Sequence, residues 1–458
     1  MSLSTKDAIL HNPLLGTFFK QAFLSLIGLV ALTTASLVDG IFIGQYVGAS
    51  GLAAVSLLLP YITFLVALSL MLAIGGSVSI GTFMGKGDTK SASALFTQII
   101  VVAFTLNIML AVVSFVAEPF LFWLLHIPSD VVPLTREYLS VIRWVFIFQF
   151  STMVFYYLVR ADGYTKLATI ALALGAVTNI LLDALLVAYL EYGIKGAAYA
   201  TAAAQIVQLS VLLLYLGDKN RAITFSTFNK PWRRVFRAVK NGLSEFTNEI
   251  SVGVLFLVIN TLLVINSGSI GVAAYSVVNY FIFLSIMLSF GIADALHLLV
   301  SYNRGASHTS RVNAFLLIAL TTAFIAGLIL TVCLLWFNHV FVALFIEPSQ
   351  QQATKYAHTI ILYVWPLFLV NGCNVLLSVF LTAIEKPLHS AVIALGRSIL
   401  FPVSFLVLLF HFTPSPLANE GNDINISFLV ALPAAEWVTF LLAVVLVYKH
   451  YYLKNTHM

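Results

Sequence analysis

Residues 167–188 read LATIALALGAVTNILLDALLVA, an apolar run that carries one amide, Asn179, and one carboxylate, Asp183. At helical spacing, four residues put both side chains on one face, one turn apart. A run of about 20 apolar residues suffices to cross the hydrocarbon core as a helix, so the stretch reads as a membrane span. A carboxylate inside such a span costs roughly 2.5–3.5 kcal/mol to insert, and is normally turned inward and used. Asp183 therefore needs partners, and other spans have to supply them.

The rest of the chain is of the same character. Its 458 residues are 60% apolar and 9% charged, with a mean hydropathy of +1.00, the composition of a polytopic membrane protein and not of a soluble domain. Windows of about 20 residues give twelve helices, near 14–43, 51–82, 94–117, 132–159, 167–188, 194–216, 242–265, 271–300, 312–337, 354–382, 388–412 and 426–449. The first is too long for a signal-peptide core and lacks a small-residue cleavage pattern, so it stays as span 1. Cys333 and Cys373, the two cysteines, both fall in apolar runs, which points to packing and away from a disulfide framework or a metal cluster.

A net charge of +5 does not indicate nucleic acid here, because the basic residues gather at span ends. Most of the 23 Lys and Arg lie in the N-terminal segment, the even-numbered connections or the tail. Only Arg136 and Lys195 sit in odd-numbered connections, while Arg143, Lys355 and Arg397 lie within spans. The positive-inside rule then puts both termini in the cytoplasm and the chain in the cell (inner) membrane as a multi-pass protein.

The connection 217–241 is the longest and most basic. Within it Trp232, Val235, Phe236 and Val239 follow helical spacing, with basic residues opposite, so an amphipathic helix on the inner leaflet is expected. It divides the chain into 1–216 with six spans, the linker 217–241, and 242–458 with six more. An offset of about 220 residues relates the halves. It carries Gly48, Gly51, Ala53, Ala54, Ser56 and Gly85 onto Gly268, Gly271, Ala273, Ala274, Ser276 and Gly305. Later, Leu172-Ala-Leu-Gly175 meets Ile393-Ala-Leu-Gly396, and Ala203-Ala-Gln205 meets Ala434-Ala-Glu436. The fold class expected is an all-α membrane protein, twelve transmembrane helices in two pseudo-symmetric six-helix lobes. Because six is even, both lobes enter from the same side, and a cleft between them is the expected substrate route. Asp39 has no acidic counterpart, since its offset position is Ile259.

Asp39, late in span 1, Asn179 and Asp183 in span 5, and Thr201 near the start of span 6 come to overlapping depth if the longer first span tilts. Tyr138 enters at a similar level from span 4. Two carboxylates, an amide oxygen and a hydroxyl suit either Na⁺, a hard cation, or a shared proton, since like charges held close favour keeping one. A purely structural role, in which a buried Asp caps a broken helix or bonds a Ser or Thr, is the competing account. Other polar groups within spans are Glu245, Glu249, Asp294 with His297, Arg397 and Glu436; the acids are candidates for an inner vestibule that takes cationic substrate. Arg397 is expected to pair with an acid across helices. Some of the 36 Phe and 18 Tyr would hold organic cations on their faces.

These residues resemble the multidrug and toxic compound extrusion (MATE) transporters over nearly the whole chain. The resemblance rests on Asp39-Gly40, on Gly-Lys-Gly-Asp at 85–88, and on Asn179-Ile-Leu-Leu-Asp183 followed by Gly193-Ile-Lys-Gly-Ala-Ala-Tyr-Ala-Thr201. Ser301-Tyr-Asn-Arg-Gly-Ala306 adds to it. It is nearest the bacterial and archaeal branch, which implies a cation site in the N-lobe with Asp39, Asn179, Asp183 and Thr201 as ligands. Another branch places a C-lobe site on spans 7 and 10, but span 10 here has no Asp or Glu. The N-lobe branch also tends to carry Asn on span 4, where this chain offers Gln149.

The resemblance implies efflux of small amphipathic, often cationic compounds in exchange for H⁺ or Na⁺. Alternating access by a monomer in the lipid bilayer, with no cofactor beyond the coupling ion, belongs to the same expectation. A lipid-precursor flippase of the same superfamily is the alternative; it would be expected to show a cationic cleft. No His-Glu-x-x-His, Gly-x-Ser-x-Gly or paired Asp with metal-ligand spacing points to an enzyme.

Overall fold

All regular structure in the computed structural model, which describes residues 8–125, 127–129, 131–226, 231–345, 351–412 and 426–452, is helical. Among the described residues, twelve helical stretches are long and apolar enough to cross a membrane. Leu14–Val47, Ala53–Gly85, Thr89–Val116, Val132–Ala161, Thr165–Tyr189 and Gly193–Gly217 are spans 1–6. Arg233–Leu263, Ala274–Gly305, Thr309–Trp336, Gln351–Ala383, Pro387–Phe412 and Ser427–Val447 are spans 7–12. Large apolar side chains such as Phe115, Leu214 and Trp336 remain exposed, as a hydrocarbon solvent allows.

Local chemistry fixes where the chain turns. In Gly-Lys-Gly-Asp, Gly87 has φ +77°, a left-handed conformation that glycine adopts without a steric penalty. Asp88 then caps the helix of span 3 by accepting from the Ser91 N–H at 3.0 Å, which satisfies one of the free donors at the helix start. Gly48, between spans 1 and 2, and Gly163, between spans 4 and 5, have φ +92° and +88°.

The described chain forms two compact units, Met1–Phe246 with Leu298–Val312, and Thr247–His297 with Asn313–Met458. Residues 233–241, in the stretch read as the amphipathic part of the linker, are helical. They open the helical stretch Arg233–Gly305, which holds spans 7 and 8; both of its ends meet span 2, so it reverses between the two spans and is not one straight rod. Val235 and Ala238 are buried while Trp232 and Phe236 stay exposed. The reason is a close approach to span 2. A Cβ on Gly242 would lie 1.9 Å from the Met71 carbonyl oxygen, and one on Gly75 would lie 2.1 Å from that of Ala238. The face that periodicity marks as amphipathic is therefore partly packed against protein.

Candidate functional site

The site is built where two helices widen. The α-helix of span 1 ends at Phe42 and continues as a π-helical turn, Ile43–Val47, one turn after Asp39. That of span 5 ends at Asp183 itself and continues as Ala184–Tyr189, also π-helical. Such turns insert an extra residue into the helical ladder and are frequent at functional sites. Ile43 and Val187, each four residues beyond a carboxylate, pack with Ala197 of span 6 in a small apolar cluster.

Beside that cluster and sharing Ile43 with it, within the first unit, lies a cavity of about 340 Å³. Asp39, Tyr138, Asn179 and Thr201 all line it. Asp39 is half-buried, whereas Asp183 is fully buried and stands behind the cavity wall, its carboxyl against that of Asp39. Asp39 Oδ1 and both Asp183 oxygens have no hydrogen-bond donor among the described residues. Ionised carboxylates only accept, so neither can satisfy the other unless a proton or cation lies between them. The donor set fits either. Tyr138 is buried within electrostatic reach of both.

Sequence reasoning missed part of the wall. Gln205 and Gln208 line the cavity beside Thr201, and the spacing 201, 205, 208 is a polar stripe on one helical face that periodicity can find. Gln208 reaches in because Gly175 leaves room; a Cβ there would lie 2.1 Å from its side chain. Gln149, Ser36 and Ser56 complete the polar lining.

The second unit collects a different set. Arg397 lies in the π-helical turn Gly396–Leu400 and donates to Asn248 Oδ1 at 2.9 Å. Its direct partner is thus an amide and not the expected acid, with Glu249 and Glu436 within electrostatic reach. Glu436 accepts from Asn374 Nδ2 of span 10 at 2.6 Å. Asp294 and His297 are buried on span 8 in the second unit, whereas Glu245 clusters with the first.

A family model described as MatE matches residues 25–185 and again residues 249–408. The chain belongs to the MatE family. Two tandem matches account for the internal offset in the sequence. The first holds Asp39, Tyr138, Asn179 and Asp183, the second Glu249, Asn374 and Arg397; Thr201 and Glu436 fall outside both. Among relatives of this MatE chain, the probable multidrug resistance protein YoeA of Bacillus subtilis (strain 168) is 23% identical over 429 residues, covering 92% of this chain and 89% of that one. An FAD transporter of Shewanella oneidensis is 23% identical over 421 residues, 89% of this chain and 90% of its own. The solved outward-facing conformation of a multidrug resistance MATE family transporter of the MOP superfamily superposes with a TM-score of 0.84 at 21% identity. It covers 94% of this chain and 95% of that chain, so the fold is shared.

Proposed function

We propose that this MatE protein is a secondary active multidrug efflux transporter that exports amphipathic, often cationic compounds by antiport with H⁺ or Na⁺. Asp39, Asn179, Asp183 and Thr201 are proposed to form its ion site. The observation that carries the reading is the Asp39–Asp183 pair, two carboxyl groups side by side at a polar cavity, in which Asp39 Oδ1 and both Asp183 oxygens have no hydrogen-bond donor among the described residues. The names of the multidrug relatives support the cargo class.

An ion drives transport only if it binds the two conformations with different affinity. Neutralising the pair changes the cost of bringing spans 1 and 5 together, and that is the differential term. Span 1 is proposed to bend as this cost changes. Gly40 on the cavity wall would meet nothing within 4 Å if it carried a Cβ, whereas a Cβ on Gly28 would lie 3.0 Å from the Leu172 side chain.

A lipid-linked precursor or FAD would bring negative charge, and among the described residues the cavity wall has no Lys or Arg to meet it. The test is efflux of a cationic dye from cells expressing Asp39→Asn or Asp183→Asn. Each is expected to fall to the level of cells without the transporter, and wild-type efflux in either overturns the site.

A further inference from the structure

The second unit holds a pair of histidines outside the proposed ion site; among the described residues no group of three or more His, Cys, Asp or Glu could hold a metal, so any ion here must be held by these two imidazoles and smaller donors. The short helix Asn338–Phe345 follows span 9, and its His339 faces His358 of span 10 with ring centroids 4.5 Å apart and planes inclined at 58°. Asn338 Oδ1 is hydrogen-bonded to His358 Nδ1. An amide oxygen only accepts, so the proton of a neutral His358 sits on Nδ1 and its lone pair on Nε2. This is how ligating histidines are usually held, with the other ring nitrogen donating to an oxygen that fixes tautomer and orientation. His339 is exposed, which leaves the pair accessible. Thr354, one turn before His358 on the same face, has a buried hydroxyl without a hydrogen-bond partner among the described residues.

If both rings turn a nitrogen to one ion, their spacing bears on the kind of ion. With a metal–nitrogen bond of about 2.0–2.1 Å and the ring centre about 1.1 Å behind the nitrogen, each centroid lies about 3.2 Å from a shared ion. Centroids 4.5 Å apart then subtend an angle of about 90° at that ion, which suits cis positions of a square-planar or tetragonal site better than a tetrahedral one. Imidazole ligands with tetragonal geometry favour Cu²⁺ among the divalent ions.

We infer that His339 and His358, oriented by Asn338, form a two-imidazole site for Cu²⁺ that ties the helix Asn338–Phe345 to span 10. Solvent or the Thr354 hydroxyl completes the coordination. The metal serves as a clip between the two elements and carries no redox step.

The site is tested by titrating the full-length protein, purified in detergent without a polyhistidine tag, with Cu²⁺ followed by electron paramagnetic resonance and calorimetry. The expected result is one ion per chain with an axial spectrum that carries imidazole nitrogen coupling, and a raised apparent melting temperature. His339→Gln and His358→Gln are each expected to weaken binding more than 100-fold and to abolish the thermal shift. Asn338→Ala, which removes only the orienting contact, is expected to weaken binding about 10-fold. Equal Cu²⁺ uptake by wild type and the double Gln variant overturns the site. So does a wild-type spectrum without imidazole coupling, which needs no variant to fold.

Discussion

Asp39 and Asp183 have the same side chain and opposite surroundings, one facing a cavity and the other fully buried behind it. An Asn at 183 keeps the shape, removes a buried like charge and provides an NH₂ that Asp39 can accept from. Asp183→Asn is therefore expected to stabilise the protein by about 1–3 kcal/mol while abolishing ion-coupled efflux; a melting curve in detergent beside the dye assay reads both. Outside the membrane, Asp162 is buried and accepts from the Tyr215 hydroxyl at 2.8 Å and from the N–H groups of Ala222 and Ile223 at 3.0 and 3.3 Å. Burial pushes its carboxyl up from the ordinary 3.8 to about 6, against the opposing pull of those donors and of Arg221. A raised folded-state value means the ionised form is disfavoured by folding. Its stability contribution is complete below pH 3.8 and lost as pH rises through about 6, by at most about 3 kcal/mol. Asp162→Asn is expected to flatten that decline between pH 5 and 7, and an unchanged difference between wild type and variant melting across this range counts against the assignment.

Among elements, the closest backbone approaches of the first unit join span 2 to the start of span 7 and the end of span 8. A Cβ on Gly85 would lie 2.1 Å from the Tyr302 carbonyl oxygen and one on Gly305 2.2 Å from that of Thr82, in addition to the Gly75 and Gly242 approaches. Backbone against backbone leaves no flexible side chain to give way. Gly242→Val and Gly85→Val are each expected to cost about 3 kcal/mol or more, seen as loss of folded protein on gel filtration, whereas Gly40→Ala, in open space, is expected to leave the yield unchanged. Such seams are poorly legible in a sequence. Gly85 and Gly305 were visible as a repeat match, but a close approach leaves no periodic signal, so its partner carbonyl cannot be named. The same limit hides part of the linker's packing: the Trp232–Val239 pattern shows an amphipathic face, and the close approach to span 2 at Gly75 and Gly242 is what puts Ala238 inside. Thr201, Gln205 and Gln208 are the opposite case, a stripe that spacing alone reveals.

At the scale of the whole molecule, one scaffold duplicated in sequence carries two unlike polar clusters. The duplication and the twelve spans were legible because apolar length and glycine placement survive divergence. The clusters diverged in charge, which an offset alignment shows only as Asp39 against Ile259. In the second unit Arg397 stands within electrostatic reach of Glu249 and Glu436, so the acids there have a fixed cation nearby. In the first unit the described cavity wall offers Asp39 and Asp183 no Lys or Arg, so positive charge must arrive from solution. On the proposed antiport reading, that asymmetry assigns the energy input to the first unit. An inward cation gains about 2.3 kcal/mol per 100 mV plus its concentration term, and an antiporter can convert this into outward movement of cargo. In proteoliposomes with a pH gradient or a Na⁺ gradient imposed separately, dye export is expected to follow one gradient, to stop when an ionophore collapses it, and to be absent in Asp39→Asn. Glu436→Gln is expected to keep that ion dependence while altering the affinity for cargo. Export that proceeds equally with neither gradient contradicts antiport, and loss of ion dependence in Glu436→Gln with Asp39 intact would move the coupling site to the second unit.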